Sequence, residues 1–164
     1  MQSGPGIETW PDGSKYEGNY ENGKKHGYGV YTWNDGSYFK GDWADGTMNG
    51  WGHYLWTDGK RYYGEWKNSN SHGYGIQYYK DGNSFEGQFY EDKKQGYGIY
   101  RWVDGRKYEG WWHNSKQHGL GIFYGLKNKF KYGLWEHGKN VAWYDDDRID
   151  GIERLETEYL DDFE

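Results

Sequence analysis

The residues in this chain that could do chemistry recur at fixed steps. His26, His72 and His118 stand 46 residues apart. Imidazoles at matching positions could ligate a metal or move protons, provided the fold gathers them. Asp12, Asp35, Asp58, Asp81 and Asp104 recur every 23 residues, each followed by Gly. Such a carboxylate column could hold calcium or could simply make turns. Asp145, Asp146 and Asp147 form the one local carboxylate cluster. Gly-x-Gly is frequent, as at Gly27/Gly29 and Gly73/Gly75, and in a strand-to-helix context that pattern cradles phosphates.

The elements that must position these residues decide against most of that chemistry. The 23-residue step runs through many columns at once. Gly18, Gly41, Gly64, Gly87, Gly110 and Gly133 keep it, as do Tyr16, Phe39, Tyr62, Phe85 and Tyr108. So do Tyr20, Trp43, Trp66, Phe89, Trp112 and Trp135, and the column Trp10, Trp33, Trp56, Tyr79 and Trp102. Within a unit, residues 15–20 and 28–33 alternate with period two, which reads as two strands. Asp–Gly after the second strand signals a hairpin turn, and the polar stretch Glu21–His26 reads as a wider loop between strands.

Strands about 4.8 Å apart put successive repeats about 10 Å apart, so the histidines fall about 20 Å from one another. That excludes a shared metal, and the histidines read instead as loop residues bonding nearby backbone. The Asp column reads as turn residues, and Asp145–Asp147 as a solvated run. No helix follows a strand at the Gly-x-Gly pairs, no Ser/His/acid set stands out, and cysteine is absent. The expectation is a non-enzyme with no cofactor and no metal.

The alternation predicts an all-β fold: a single-layer, elongated antiparallel sheet of stacked hairpins, about 50–60 Å long at that strand spacing. A half repeat occupies 4–13. Full repeats run 14–36, 37–59, 60–82, 83–105 and 106–128, and a degenerate one covers 129–144, where Val141 and Ala142 replace His–Gly. Opening on a half repeat points to sequence upstream of Met1. Tyr16, Gly18, Tyr20, Gly27, Gly29, Tyr31 and Trp33 are expected to share the structural face, each Gly leaving room for a neighbouring ring. The opposite face is mixed, and some apolar ladder there, such as Tyr28, Trp51 and Tyr74, is expected to be exposed or covered.

Composition agrees. The 164 residues include 28 Gly, 19 Tyr and 11 Trp, and few aliphatics. Aromatic richness argues against disorder, and the scarcity of Ala and Leu argues against a helical bundle. Residues 145–164 hold ten acidic and two basic side chains, a net of −8 against −6 for the whole chain, so residues 1–144 are near +2. A nucleic-acid partner would require a clearly basic body. No signal peptide is seen at Met1–Pro11, and the lack of Cys fits a reducing, cytoplasmic compartment.

Tyr62-Tyr63-Gly64-Glu65-Trp66, His72-Gly73-Tyr74-Gly75 and Asp81-Gly82 together resemble the MORN (membrane occupation and recognition nexus) repeat. Tyr16-Glu17-Gly18 with His26-Gly27-Tyr28-Gly29, and Tyr108-Glu109-Gly110 with His118-Gly119-Leu120-Gly121, keep the same frame. Asn49, Gln95 and Lys131 depart from it. The resemblance covers about residues 4–140. It implies a hairpin-repeat scaffold with a groove, set in a cytoskeletal, ciliary or membrane-linked assembly, with phosphoinositide binding in some members.

From these readings, the expected function is a non-catalytic scaffold or adaptor that binds a helix or extended segment of a partner protein. The candidate groove residues are Trp43, Tyr54, Trp56, Trp66, Tyr79, Trp102 and Trp112. The alternative is a peripheral phosphoinositide-binding module, carried by Lys24, Lys25, Lys93, Lys94, Lys127 and Lys129. Sheet edges offer a route to oligomers. Over about 151–162, Ile152, Leu155, Tyr159, Leu160 and Phe163 fall at helical spacing. They predict a C-terminal amphipathic helix that docks back on the sheet.

Overall fold

The computed structural model describes residues 1–127 and 129–144. Those residues form thirteen strands and no helix. The expected helix and its Ile152, Leu155, Tyr159, Leu160 and Phe163 lie outside the described residues. The strands are hydrogen-bonded in sequence order in an open antiparallel sheet. Contacts group the chain into two units, Met1–Lys80 with Tyr90–Asp92, and Asp81–Phe89 with Lys93 onward.

The first unit holds β1 (Gly4–Thr9), β2 (Lys15–Glu21), β3 (Lys24–Thr32), β4 (Tyr38–Ala44), β5 (Thr47–Leu55), β6 (Arg61–Lys67) and β7 (Asn70–Tyr78). β8 (Ser84–Tyr90) lies mostly in the second unit. That unit also holds β9 (Lys93–Arg101), β10 (Lys107–His113), β11 (Lys116–Tyr124), β12 (Phe130–Glu136) and β13 (Lys139–Tyr144). β13 is a strand paired to β12 even though its sequence lacks the repeat's His–Gly.

The core is a column of rings lying on glycine. Tyr16, Phe39, Tyr62, Phe85 and Tyr108 are fully buried. Gly18 pairs Gly29, and Gly41 pairs Gly52, directly beside them. A Cβ added at Gly29 would fall on the ring of Tyr16, and one at Gly52 on the ring of Phe39. The absent side chains are therefore the space the rings occupy. Burying a large apolar side chain contributes about 1.5–3 kcal/mol, so five such positions form much of the drive to fold. The tyrosine hydroxyls are not wasted: Tyr16, Tyr62 and Tyr108 donate to the carbonyls of Asn19, Glu65 and Trp111 at 2.9–3.0 Å. Burial pushes the Tyr16 phenol up to about 12.

One of the two turns differs from the sequence reading. Glu21–His26 is not a wide loop. Asn22 and Gly23 alone make the turn, both at positive φ (50° and 77°), and β3 starts at Lys24. Asp45–Gly46, Asn68–Ser69, Glu91–Asp92, Asn114–Ser115 and His137–Gly138 repeat the geometry. Two left-handed residues in a two-residue loop match the twist of the flanking strands. Asp–Gly makes the other hairpin connection as a three-residue loop. Trp10 N–H donates to Ser14 O and Gly13 N–H to Trp10 O, with Gly13 left-handed. Asp12 Oδ1 accepts the Ser14 N–H at 2.8 Å, and that bond is the leading cause holding its carboxyl below the usual range. The Asp column is thus turn structure.

A bulge corrects the face assignment. Gly18 pairs Gly29 while Tyr20 pairs Lys25, so β3 carries two extra residues. Gly27 absorbs the irregularity at φ +67°, and a Cβ there would meet Asn19 of the opposite face, not the core rings. The bulge also turns Lys25 onto the ring face.

Replacing Gly52 by Ala should cost about 3 kcal/mol, as overpacking against a fixed ring. Gly46→Ala, where no atom lies within 4 Å but φ is +84°, should cost about 1–2 kcal/mol. Urea denaturation of both variants measures the difference, and equal costs would refute the account of ring space.

Candidate functional site

The ring face is largely consumed by its own packing. Trp43, Trp66 and Trp112 are buried, and each indole N–H donates to a glycine carbonyl (Gly29, Gly52 and Gly98) at 3.2 Å. In the first unit Tyr54 joins them, its ring 4.4 Å from Trp56 and 5.8 Å from Trp66. Tyr79 donates its hydroxyl to Gln77 at 2.6 Å. In the second unit Trp102 packs 4.8 Å from Tyr100 and 5.9 Å from Phe123. Tyr54, Trp56, Tyr79 and Trp102 are half-buried.

The lysine pairs are split by the bulge. Lys24 is exposed, while Lys25 Nζ sits 5.2–5.8 Å from the rings of Trp10, Tyr16, Tyr31 and Trp43. Lys93 is exposed, while Lys94 lies 5.3 Å from the Phe85 ring and 5.9 Å from Trp112. Lys127 and Lys129 are exposed in the β11–β12 connection. Two of the six lysines are therefore engaged in cation–π contacts over the core. The histidine column is local structure at His118, whose Nδ1 accepts the His137 N–H at 3.1 Å. Among the described residues no His, Asp and Glu group is set to hold a metal.

The opposite face of the first unit is different. Register places Tyr28 beside Asp42 and Trp51 beside Glu65. A second row reads Glu17, Val30, Lys40, His53, Tyr63 and Ile76 across β2 to β7. Tyr28 is 56% exposed, Trp51 57% and Tyr74 44%. These rings and Tyr63 line a shallow groove of about 480 Å³, floored by Gly41, Gly52 and Gly64. The groove continues past Trp51 toward His72 and Lys67, and past Tyr63 toward Arg61 and Tyr78.

The two carboxylates are fixed by the bulges. Trp51 N–H donates to Asp42 Oδ2 at 3.0 Å, and Tyr74 N–H to Glu65 Oε2 at 2.5 Å. Lys40 Nζ lies 4.5 Å above the Tyr38 ring. In the second unit the same position holds Gln88 and then Trp111, whose ring lies 5.8 Å from that of Tyr97. There Leu120 is buried while Tyr97 stays 44% exposed. The ladder was visible as a sequence column expected to be exposed or covered, and Tyr28, Trp51 and Tyr74 are exposed.

A family profile for the MORN repeat matches residues 1–15, 16–38, 39–61, 62–84, 85–105 and 108–125. The chain belongs to the MORN repeat family. A comparison with curated proteins finds no match. Among solved structures, this MORN chain is similar to the TCP domain of SAS-4 (dCPAP) of Drosophila melanogaster, solved with a proline-rich motif of Ana2 (dSTIL). Identity there is 11%, covering 87% of this chain and 90% of that one, with a TM-score of 0.42. A catalytically inactive virginiamycin B lyase from Staphylococcus aureus, solved with quinupristin, is 16% identical. It covers 81% of this chain and 42% of that one, with a TM-score of 0.20.

On the same face of the MORN array, His53 links stability to pH. Its ring stacks on Tyr63 at 4.0 Å, and its Nε2 is buried without a hydrogen-bond partner among the described residues. Burial first, then Arg61 and Lys40, hold its pKa below the ordinary 6.5. The unfolded chain thus takes up the proton more readily, so the stability is full above 6.5 and is lost as pH falls below it. Between about pH 7.5 and about pH 5, wild type should lose more thermal stability than His53→Phe. Parallel melting curves for the two would count against this reading.

Proposed function

We propose that this MORN array is a non-catalytic scaffold that binds a segment of a partner protein, in a cytoskeletal or ciliary assembly. MORN repeats are generally non-catalytic, which supports the first part. The observation that carries the reading is the repeat column Tyr28, Trp51 and Tyr74, exposed together on the face that the core does not use. Contiguous exposed rings on a soluble domain mark an interaction surface, and Trp and Tyr dominate binding hot spots.

The groove runs shallow and open, with no deep pocket to exclude water. That geometry suits a chain laid along it more than a small molecule. Binding is placed on Trp51 and Tyr74 rather than on Trp43, Trp66 or Trp112, whose indoles are held inside the core. The double variant Trp51→Ala/Tyr74→Ala should keep the wild-type melting temperature and lose the partners captured from the source cell. Trp66→Ala should melt well below wild type, by about 3–5 kcal/mol. Partner capture that survives the double variant would refute this assignment.

A further inference from the structure

Between the exposed rings of the first unit sit two carboxylates, and their chemistry selects an occupant. Asp42 lies between Tyr28 and Trp51, and Glu65 between Trp51 and Tyr74. Each uses one oxygen to accept a backbone N–H and keeps the other. Neither forms an ion pair among the described residues, and the nearby Lys40 is turned onto Tyr38. A fixed anion flanked by exposed aromatic side chains suits a cation, and a planar guanidinium satisfies it best because it can stack on a ring while it donates.

Resting on the binding reading above, we infer that the Tyr28–Asp42–Trp51–Glu65–Tyr74 row reads arginine side chains of the partner segment. Asp42 and Glu65 stand two strands apart, about 10 Å. A chain in the polyproline II conformation rises about 3.1 Å per residue with three residues per turn, so arginines three residues apart lie on one side of it and meet successive carboxylates. The chain's own acidic residues 145–164 carry the same sign as these carboxylates and do not suit them.

The repeats themselves supply clean variants. Asn19 and Gln88 occupy the equivalent positions in neighbouring repeats, so Asp42→Asn and Glu65→Gln keep an acceptor for the backbone N–H and remove charge alone. The probe is a labelled Gly/Ser peptide with Arg at every third position, followed by fluorescence anisotropy at low salt. Wild type should bind it, and each variant should weaken binding about tenfold in Kd. A matched peptide with citrulline for arginine should not bind. Equal binding by wild type and the double variant, equal binding of the citrulline peptide, or no binding of the arginine peptide overturns the inference. So does wild type binding anionic phosphatidylinositol phosphate vesicles in its place. If the peptide fails while Trp51→Ala/Tyr74→Ala still abolishes partner capture, the groove stands and its arginine chemistry falls. If capture is unaffected by that double variant, the groove itself fails, whatever the peptide does.

Discussion

A ring must have somewhere to lie, and in a sheet one layer thick that place is the backbone of the next strand. Everything in this protein follows from the meeting of a buried ring with paired glycines. Tyr16 covers Gly29, Phe39 covers Gly52, and Tyr62 covers Gly75, with a second glycine opposite each. A methyl group at any of these would occupy the volume of the ring. Glycine in a strand is normally a liability, lacking a side chain to pack. Here its emptiness is filled by the neighbour, so the entropic cost is offset by aromatic burial. The tryptophans then wedge edge-on against the first rings, as Trp43 does between Tyr16 and Phe39 at 5.3–5.5 Å.

Placing rings on the backbone has a second consequence. The strand bearing the glycines must be irregular, because two extra residues are accommodated between Gly29 and Lys25. The bulge frees backbone N–H groups on the opposite face, and Asp42 and Glu65 accept two of them. The same distortion that seats the core therefore fixes the carboxylates of the groove. Core and groove are two sides of one backbone event. Unpaired N–H groups at a bulge need an acceptor, and in the first unit that acceptor carries a charge.

The period, the hairpins and the ring–glycine pairing were legible in the sequence, since each is a column recurring every 23 residues. The outcome of the bulge was not. Period-two alternation assigns Gly27 to the core face and leaves Lys25 in a loop. Positive φ at Asn22, Gly23 and Gly27 reverses both assignments. The signal was present in Asn22–Gly23, a strong two-residue turn pair, but Asp–Gly elsewhere in the repeat offered the same signal. Most other repeats also lack Asn–Gly there, with Asn68–Ser69 and Glu91–Asp92 adopting the strained geometry. The tryptophans were already separated by face in the sequence, Trp51 opposite the ring column that holds Trp66. What the columns did not show is that Trp66, a groove candidate, spends its indole N–H on Gly52 while Trp51 stays 57% exposed.

On the face opposite the core, one column of the repeat changes its chemistry from one copy to the next. Asn19, Asp42, Glu65, Gln88, Trp111 and Leu134 occupy equivalent positions. Where the residue is Asp or Glu, the adjacent rings are exposed, and a charged neighbour will not give up its water to cover them. Where it is Trp111, the ring packs beside Tyr97, which stays 44% exposed, while Leu120 is shielded to 3%. A hydrophobic residue in this column therefore adds cover only locally, and an acidic one sets charge beside the exposed rings. A uniform backbone is in this way given a local binding address by residues that the fold itself does not require. Core positions in such an array are constrained to rings and glycine, while this column is free to vary with the partner.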